Sequence, residues 1–198
     1  MAFNGCDELY SLLLGTGVRN IGEMAFYQCT SLTASGSNKL IIPSEVISIE
    51  KMAFNIASAS DALLDVQFNE GLLFIGEEAF SHAAILRLTL PDTLETIGVR
   101  AFAYCYYLTK INIGRGIRLI DNEAFRYAGT NGLYVEFTSS APPESIGYVL
   151  GNITRNNFYI TVPEDSQALY ENADNWSYYE SKMITIEISD EVIVYPNR

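Results

Sequence analysis

The chain is written in two alternating hydrophobic patterns. The first has period two, with apolar first and third residues and a variable middle one: Leu12-Leu13-Leu14, Leu40-Ile41-Ile42, Val66-Gln67-Phe68, Leu88-Thr89-Leu90 and Ile111-Asn112-Ile113. Each is closed by Gly15, Pro43, Asn69, Pro91 or Gly114. An alternation of this kind is the mark of a strand that buries one face, and its recurrence predicts stacked parallel strands. A closing Pro removes a donor, and a closing Gly admits unusual dihedrals, where the chain must leave the sheet. In the second pattern Val18, Val46, Leu72, Leu94 or Ile117 is followed three residues later by Ile21, Ile49, Ile75, Ile97 or Ile120, all expected to face inward. An Ala-Phe pair then stands four and five residues after each isoleucine. That spacing predicts a short helical or 3₁₀ turn that directs one small and one large residue into the core.

The Ala-Phe pairs begin at positions 2, 25, 53, 79, 101 and 124, at spacings of 23, 28, 26, 22 and 23 residues. A period of this size indicates a solenoid rather than a globular domain. Stacking the units places Phe3, Phe26, Phe54, Phe80, Phe102 and Phe125 in one spine. Two stretches of small residues, 33–39 and 55–62, read as loops inserted between the Phe segment and the next strand, on one edge of the array.

The pattern decays after Phe125. Leu133 to Phe137 and Phe158 to Pro163 still alternate like strands, Ser166 to Trp176 has helical spacing with Asp165 or Ser166 as N-cap, and Met183 to Tyr195 reads as strand or hairpin. We assign 1–137 to the repeats and 138–198 to degenerate last repeats and a C-terminal cap of the same domain, covering the last layer's edge.

Composition narrows the function classes. Apolar residues make up 48% and charged ones 18% of the chain, enough apolar material for a continuous core. The net charge of -12 repels phosphate backbones, so nucleic acid is not an expected partner. No apolar run approaches the roughly 18 residues of a membrane span, so no membrane insertion is expected within the chain. Met1 falls inside a repeat with no signal peptide in view, so the chain is expected to be a piece of a longer protein with any export signal upstream. Cys6, Cys29 and Cys105 each stand three residues after the Phe of their unit. The shared register makes them packing residues rather than disulfide or zinc sites, and no metal or cofactor is expected.

The unit Leu-x-Leu-Pro-x-x-Leu-x-x-Ile-Gly-x-x-Ala-Phe-x-x-Cys-x-x-Leu, as at Leu88 to Leu108, resembles the BspA-type leucine-rich repeats of bacterial surface proteins. The resemblance covers about residues 2 to 137. The ending from Ile160 to Pro163 through Tyr170, Trp176 and Tyr179 is similar to the segment that often follows such repeats in Bacteroides-like bacteria. It implies an α/β repeat solenoid: a right-handed leucine-rich-repeat array with a concave parallel β-sheet, short helical or 3₁₀ turns on the convex side and a C-terminal cap. It further implies an extracellular or cell-surface location and, in some members, adhesion to host matrix proteins or other bacteria. Glu50 in place of the motif Gly, and Ala83 and Ala128 in place of Cys, depart from the pattern.

The concave sheet is a solenoid's usual working surface, because its outward side chains are not needed by the core. The alternation places Gln67, Thr89, Asn112 and Glu136 in one outward column, with Leu13, Ile41 and Thr161. A second column holds Lys39, Asp65, Arg87, Lys110, Tyr134 and Tyr159, with Ser11. The expected function is adhesion, by binding an extracellular protein or glycan, host matrix included, on this face. The alternative is a spacer that displays other parts of a longer surface protein. A hydrolase is the weakest reading, and the chain is not expected to be an enzyme. His82, the sole histidine, lacks a ligand or triad partner at a suitable spacing. Glu77-Glu78 and Glu164-Asp165 read as solvated charge, and Gly114-Arg115-Gly116 lacks the phosphate-loop pattern. Asn152-Ile153-Thr154 and Asn175-Trp176-Ser177 match the glycosylation sequon, which matters only in a eukaryotic secretory host. Tyr27, Tyr104, Tyr106, Tyr107 and Tyr127 are expected half-buried around the convex turns.

Overall fold

The computed structural model describes residues 1–32, 39–56, 65–151 and 158–186. In chain order the strands are β1 (Asn20–Ile21), β2 (Leu40–Ile42), β3 (Ser48–Ile49), β4 (Val66–Phe68), β5 (Phe74–Ile75), β6 (Arg87–Thr89), β7 (Thr96–Ile97), β8 (Lys110–Ile113), β9 (Leu119–Ile120), β10 (Leu133–Phe137), β11 (Glu144–Ser145), β12 (Phe158–Pro163) and β13 (Met183–Ile186). One α-helix, α1 (Gln167–Asn172), lies between 3₁₀ turns at Glu164–Ser166 and Ser177–Lys182. The result is a parallel-strand solenoid of about six turns with few helices.

Two kinds of ladder run along it. The short strands β1, β3, β5, β7, β9 and β11 form a six-stranded parallel sheet in that order, and β6, β8, β10, β12 and β13 form a five-stranded one. β2 and β4 pair separately. Register is kept from unit to unit, so Ile49, Ile75, Ile97 and Ile120 face one another in the short ladder and Leu88, Ile111, Val135 and Ile160 in the long one. All eight are buried. The six Phe rings form the expected spine, stacked at 5.1–5.5 Å. Phe3 at its N-terminal end is 47% exposed, while Phe54 to Phe125 are fully enclosed.

Several expectations are corrected. The short ladder was not anticipated, because two-residue strands with one recurrent isoleucine carry no readable periodicity. The Ala-Phe segments are not helical. Their amides alternate in use: Ala79 N–H returns to Gly76 O and Ser81 N–H to Glu78 O, whereas Glu78, Phe80 and His82 N–H reach Val99, Ala101 and Ala103 O in the next layer at 2.8–2.9 Å. A helix would spend all of these within the segment. To aim every second amide outward, the backbone turns left-handed at Met24, Met52, Glu78, Arg100 and Glu123, with φ of 51–57°. Leu12-Leu13-Leu14 is not a strand; Leu12 and Leu14 pack only partly on the core and Leu13 is 92% exposed. Val18 is likewise only half-buried. Cys29 and Cys105 are buried as expected, but Cys6, in the first layer, is exposed.

Beyond residue 137 the rungs continue through β11, β12 and β13, and aromatic side chains tie the irregular connections down. Trp176 Nε1 donates to Pro143 O at 2.7 Å, and the Tyr170 hydroxyl donates to Ser139 O and Ala141 O at 3.1 and 3.2 Å. The Tyr179 hydroxyl accepts from Leu150 N at 3.2 Å. All three rings are buried. The helix is shorter than its spacing predicts. Ser166 occupies the N-cap, buried and without a side-chain capping bond, and Ala173 N–H closes the end by returning to Tyr170 O. Most of both inserted stretches, and any hairpin past 186, lie outside the described residues.

Candidate binding face

The long ladder, on the side expected to be concave, carries the predicted columns. Its register aligns Arg87 with Lys110, Lys110 with Tyr134, and Tyr134 with Tyr159. Alternation sends these four side chains away from the core because Leu88, Ile111, Val135 and Ile160 fill it. At a rung spacing of about 4.8 Å, the row extends roughly 14 Å across four strands. Tyr134 and Tyr159 stack at 5.6 Å. Lys110 Nζ pairs with Glu136 at 2.8 Å, both side chains being largely shielded at 30% and 25% exposure. Arg87 is exposed and forms no ion pair with a described residue.

The neighbouring column brings Thr89, Asn112 and Glu136 into register, with Thr161 beyond them. It is less open than the alternation predicts. Thr161 is buried, with its hydroxyl directed at Val135 O, and Asn112 Oδ1 is buried with no hydrogen-bond partner among the described residues. Lys39, Asp65 and Gln67 lie outside this five-stranded hydrogen-bonded ladder. They belong to the β2–β4 ladder, where Lys39 pairs with Asp65 at 3.7 Å and Gln67 Nε2 donates to Asn69 Oδ1. Ile41 is exposed beside them.

Charge pairing between layers extends beyond the strand columns, and its signal is present in the sequence. Lys51–Glu77, Arg100–Glu123, Arg115–Asp92 and Arg118–Glu95 each join residues one repeat apart, at 2.7–3.8 Å. An acid and a base separated by the repeat period fall on adjacent rungs. Much of the chain's positive charge is therefore already matched, whereas Arg87, like Arg19, is exposed and in no ion pair with a described residue.

The residues considered for catalysis are placed in structural roles. His82 stacks on Tyr104 at 4.5 Å; burial lowers its pKa, opposed by the charge of Glu78. Glu77 holds Lys51, Glu78 accepts from Asn55 Nδ2 at 3.4 Å, and Glu164 and Asp165 open a 3₁₀ turn. Arg115 lies against Asp92 through both its amide and its guanidinium. Among the described residues no group of three His, Cys, Asp or Glu could hold a metal ion, and no helix is long and apolar enough to cross a membrane. Asn175 Nδ2 donates to Ser145 O at 2.7 Å. Asn152 lies outside the described residues. Tyr27, Tyr104 and Tyr127 are half-buried, and Tyr106 and Tyr107 slightly more exposed.

Stacked parallel rungs, a Phe spine and a shared register define a leucine-rich-repeat solenoid. The model of the BspA type leucine rich repeat region matches six copies across residues 1–36 and 33–143, and the chain belongs to that family. The crystal structure of the pneumococcal vaccine antigen PcpA is similar at a TM-score of 0.54 and 21% identity, over 80% of this chain and 40% of that one. A leucine-rich repeat protein from Bacteroides ovatus aligns at a TM-score of 0.45 and 21% identity, over 83% of this chain and 52% of its own. The chain thus spans about half or less of either protein. No curated protein matches it.

Proposed function

We propose that this chain is a secreted or cell-surface binding module that engages an extracellular protein or glycan through the row of Arg87, Lys110, Tyr134 and Tyr159. The observation that carries the reading is their alignment on consecutive rungs of one ladder. A cation that forms no ion pair with a described residue, in one row with two stacked phenol rings that begin two rungs away, combines residue types that anchor interfaces. The family and the likeness to a pneumococcal antigen support a surface location. The proposed role is non-catalytic.

The test is binding of the purified protein to immobilised extracellular-matrix proteins and glycans near physiological salt. Saturable binding that weakens on truncating Arg87 or Tyr134 supports the reading, and silence across the panel overturns it. One observation favours a spacer instead: Lys39 and Lys110 on the strand faces are held by Asp65 and Glu136. Such internal pairing completes the array without a ligand.

A further inference from the structure

Cys6 and Cys29 occupy the same position in adjacent layers, three residues after Phe3 and Phe26, whose rings stack at 5.3 Å. Backbone pairing joins the two layers on either side, with Phe3 N–H bonded to Ala25 O and Gly5 N–H to Tyr27 O, each at 2.7 Å. The Cys29 thiol donates to Phe3 O at 3.0 Å, and the same carbonyl accepts Cys6 N–H at 3.2 Å. The Cys29 sulfur therefore lies under the turn that carries Cys6, whose amide also faces it. Cys105 supplies an internal comparison. Its thiol donates in the same way to Phe80 O at 3.2 Å, but the position of Cys6 is there taken by Ala83, whose N–H bonds Phe80 O at 3.1 Å. Of the three thiols, only Cys6 and Cys29 stand on neighbouring rungs. A rung spacing of about 4.8 Å lies within the roughly 4.4–6.8 Å between Cα atoms that a disulfide spans.

We propose that Cys6 and Cys29 are an interlayer disulfide site, closed when the protein meets a small disulfide oxidant such as oxidised glutathione. Access sets the order of steps. Cys6 is exposed and Cys29 is buried, so the Cys6 thiolate attacks the oxidant, breaking its S–S bond, forming a mixed disulfide and releasing one glutathione thiolate. Cys29 Sγ then attacks Cys6 Sγ, loses its proton and expels the second glutathione. The two protein thiols give up two electrons and two protons, and the oxidant leaves as two thiols. Burial raises the Cys29 pKa, which slows the second step. Cys105 is fully buried with no neighbouring thiol and stays reduced. The bridge ties the first layer, where Phe3 is half-exposed, to the enclosed second one. Extracellular compartments permit such a bond.

The experiment exposes the native protein to oxidised glutathione, alkylates the remaining thiols after unfolding, and maps peptides by mass without reduction. The expected result is a loss of about 2 Da, two hydrogens, with Cys6 joined to Cys29 and Cys105 alkylated. Cys29→Ala should stop at a glutathione adduct on Cys6. That variant is expected to fold, since Ala83 and Ala128 hold the same position in other layers. Cys6 in the unaltered protein found as a free thiol, as a lasting glutathione adduct, or in a Cys6–Cys6 dimer would overturn the proposal.

Discussion

Phe80 and Phe102 lie with ring centroids 5.4 Å apart and planes 5° from parallel, and Phe68 meets Phe80 edge-on at 5.5 Å. Each interior spine ring is thus packed by the layers on either side, and Phe80 by a strand residue as well. Removing one leaves a gap that the hydrogen-bonded rungs on either side cannot close. We expect Phe102→Ala to cost about 3–5 kcal/mol, the range for a buried Phe truncation. Phe3→Ala, with its ring half in water, should cost well under half of that. Denaturant unfolding of the two variants checks the contrast, and equal losses would contradict it.

Glu123 lies between two guanidinium groups. Oε2 accepts from Arg100 Nε and Nη2 at 2.7 Å, and Oε1 from Arg126 Nη1 at 2.8 Å. Burial raises its pKa, but the hydrogen bonds and charges of Arg100 and Arg126 together hold it below its ordinary 4.5. A carboxylate depressed in the folded state contributes stability that is complete above the unfolded pKa and is lost as pH falls through the folded one. Glu123→Gln should therefore be less stable than the parent above about pH 5, with the gap narrowing below about pH 4.5. Denaturation midpoints measured across that window would show it, and a gap independent of pH would contradict it.

The sequence made the repeat legible wherever a residue recurs for a packing reason, as Ile97, Ala101 and Phe102 do. It hid what depends on backbone direction. Arg100 and Tyr104 adopt φ of 52° and 60°, a region that non-glycine residues seldom enter, and nothing in their chemistry announces it. They are held there by amides bonded to Asn122 O and Arg126 O in the next layer. The candidate site divides in the same way. The row from Arg87 to Tyr159 followed from alternation plus period, because register within one ladder preserves both. The same alternation makes Lys39, Asp65 and Gln67 its continuation, whereas β2–β4 is hydrogen-bonded as a separate ladder.

His82 is the sole histidine, so its ring proton titration is free of overlap. Stacked on Tyr104 and partly desolvated, it should titrate with a midpoint below 6.5, in spite of Glu78. Glu78→Gln removes the opposing charge and should lower the midpoint further. The neutral ring is the form the fold prefers. Its stabilising contribution is accordingly present above about pH 6.5 and is lost as pH falls through the folded value. Proton NMR from pH 4 to 8 gives both midpoints, and a value above 6.5 in the unaltered protein would refute this.

Tyr170 and Tyr178 test which aromatic hydroxyls hold the C-terminal rungs. The Tyr170 hydroxyl donates to Ser139 O, and Ala141 O also accepts from Ser139 Oγ. Tyr170→Phe leaves the buried Ser139 carbonyl without that donor and should cost about 1–3 kcal/mol. Tyr178 is 68% exposed, so Tyr178→Phe should be close to neutral. Shifts in denaturation midpoint separate the two, and equal shifts would argue against a structural role for the Tyr170 bond.

Arg87 and Lys39 separate a binding role from a spacer role. Both are basic, both lie at the equivalent outward position of their repeats, and they differ in ladder and in pairing. Lys39 is spent on Asp65 in the β2–β4 ladder, whereas Arg87 heads the row that ends in the stacked Tyr134 and Tyr159. For a partner captured by the matrix and glycan panel, Arg87→Ala should weaken binding about tenfold or more, as interface anchors do. Lys39→Ala should change it by less than about twofold, because an exposed paired charge contributes little. The Arg87 contribution should also shrink at higher salt, since a solvent-facing cation acts over about one Debye length. Surface plasmon resonance on the two variants at low and high salt reads all of these. Equal, small effects would move the contact away from this face and favour the spacer.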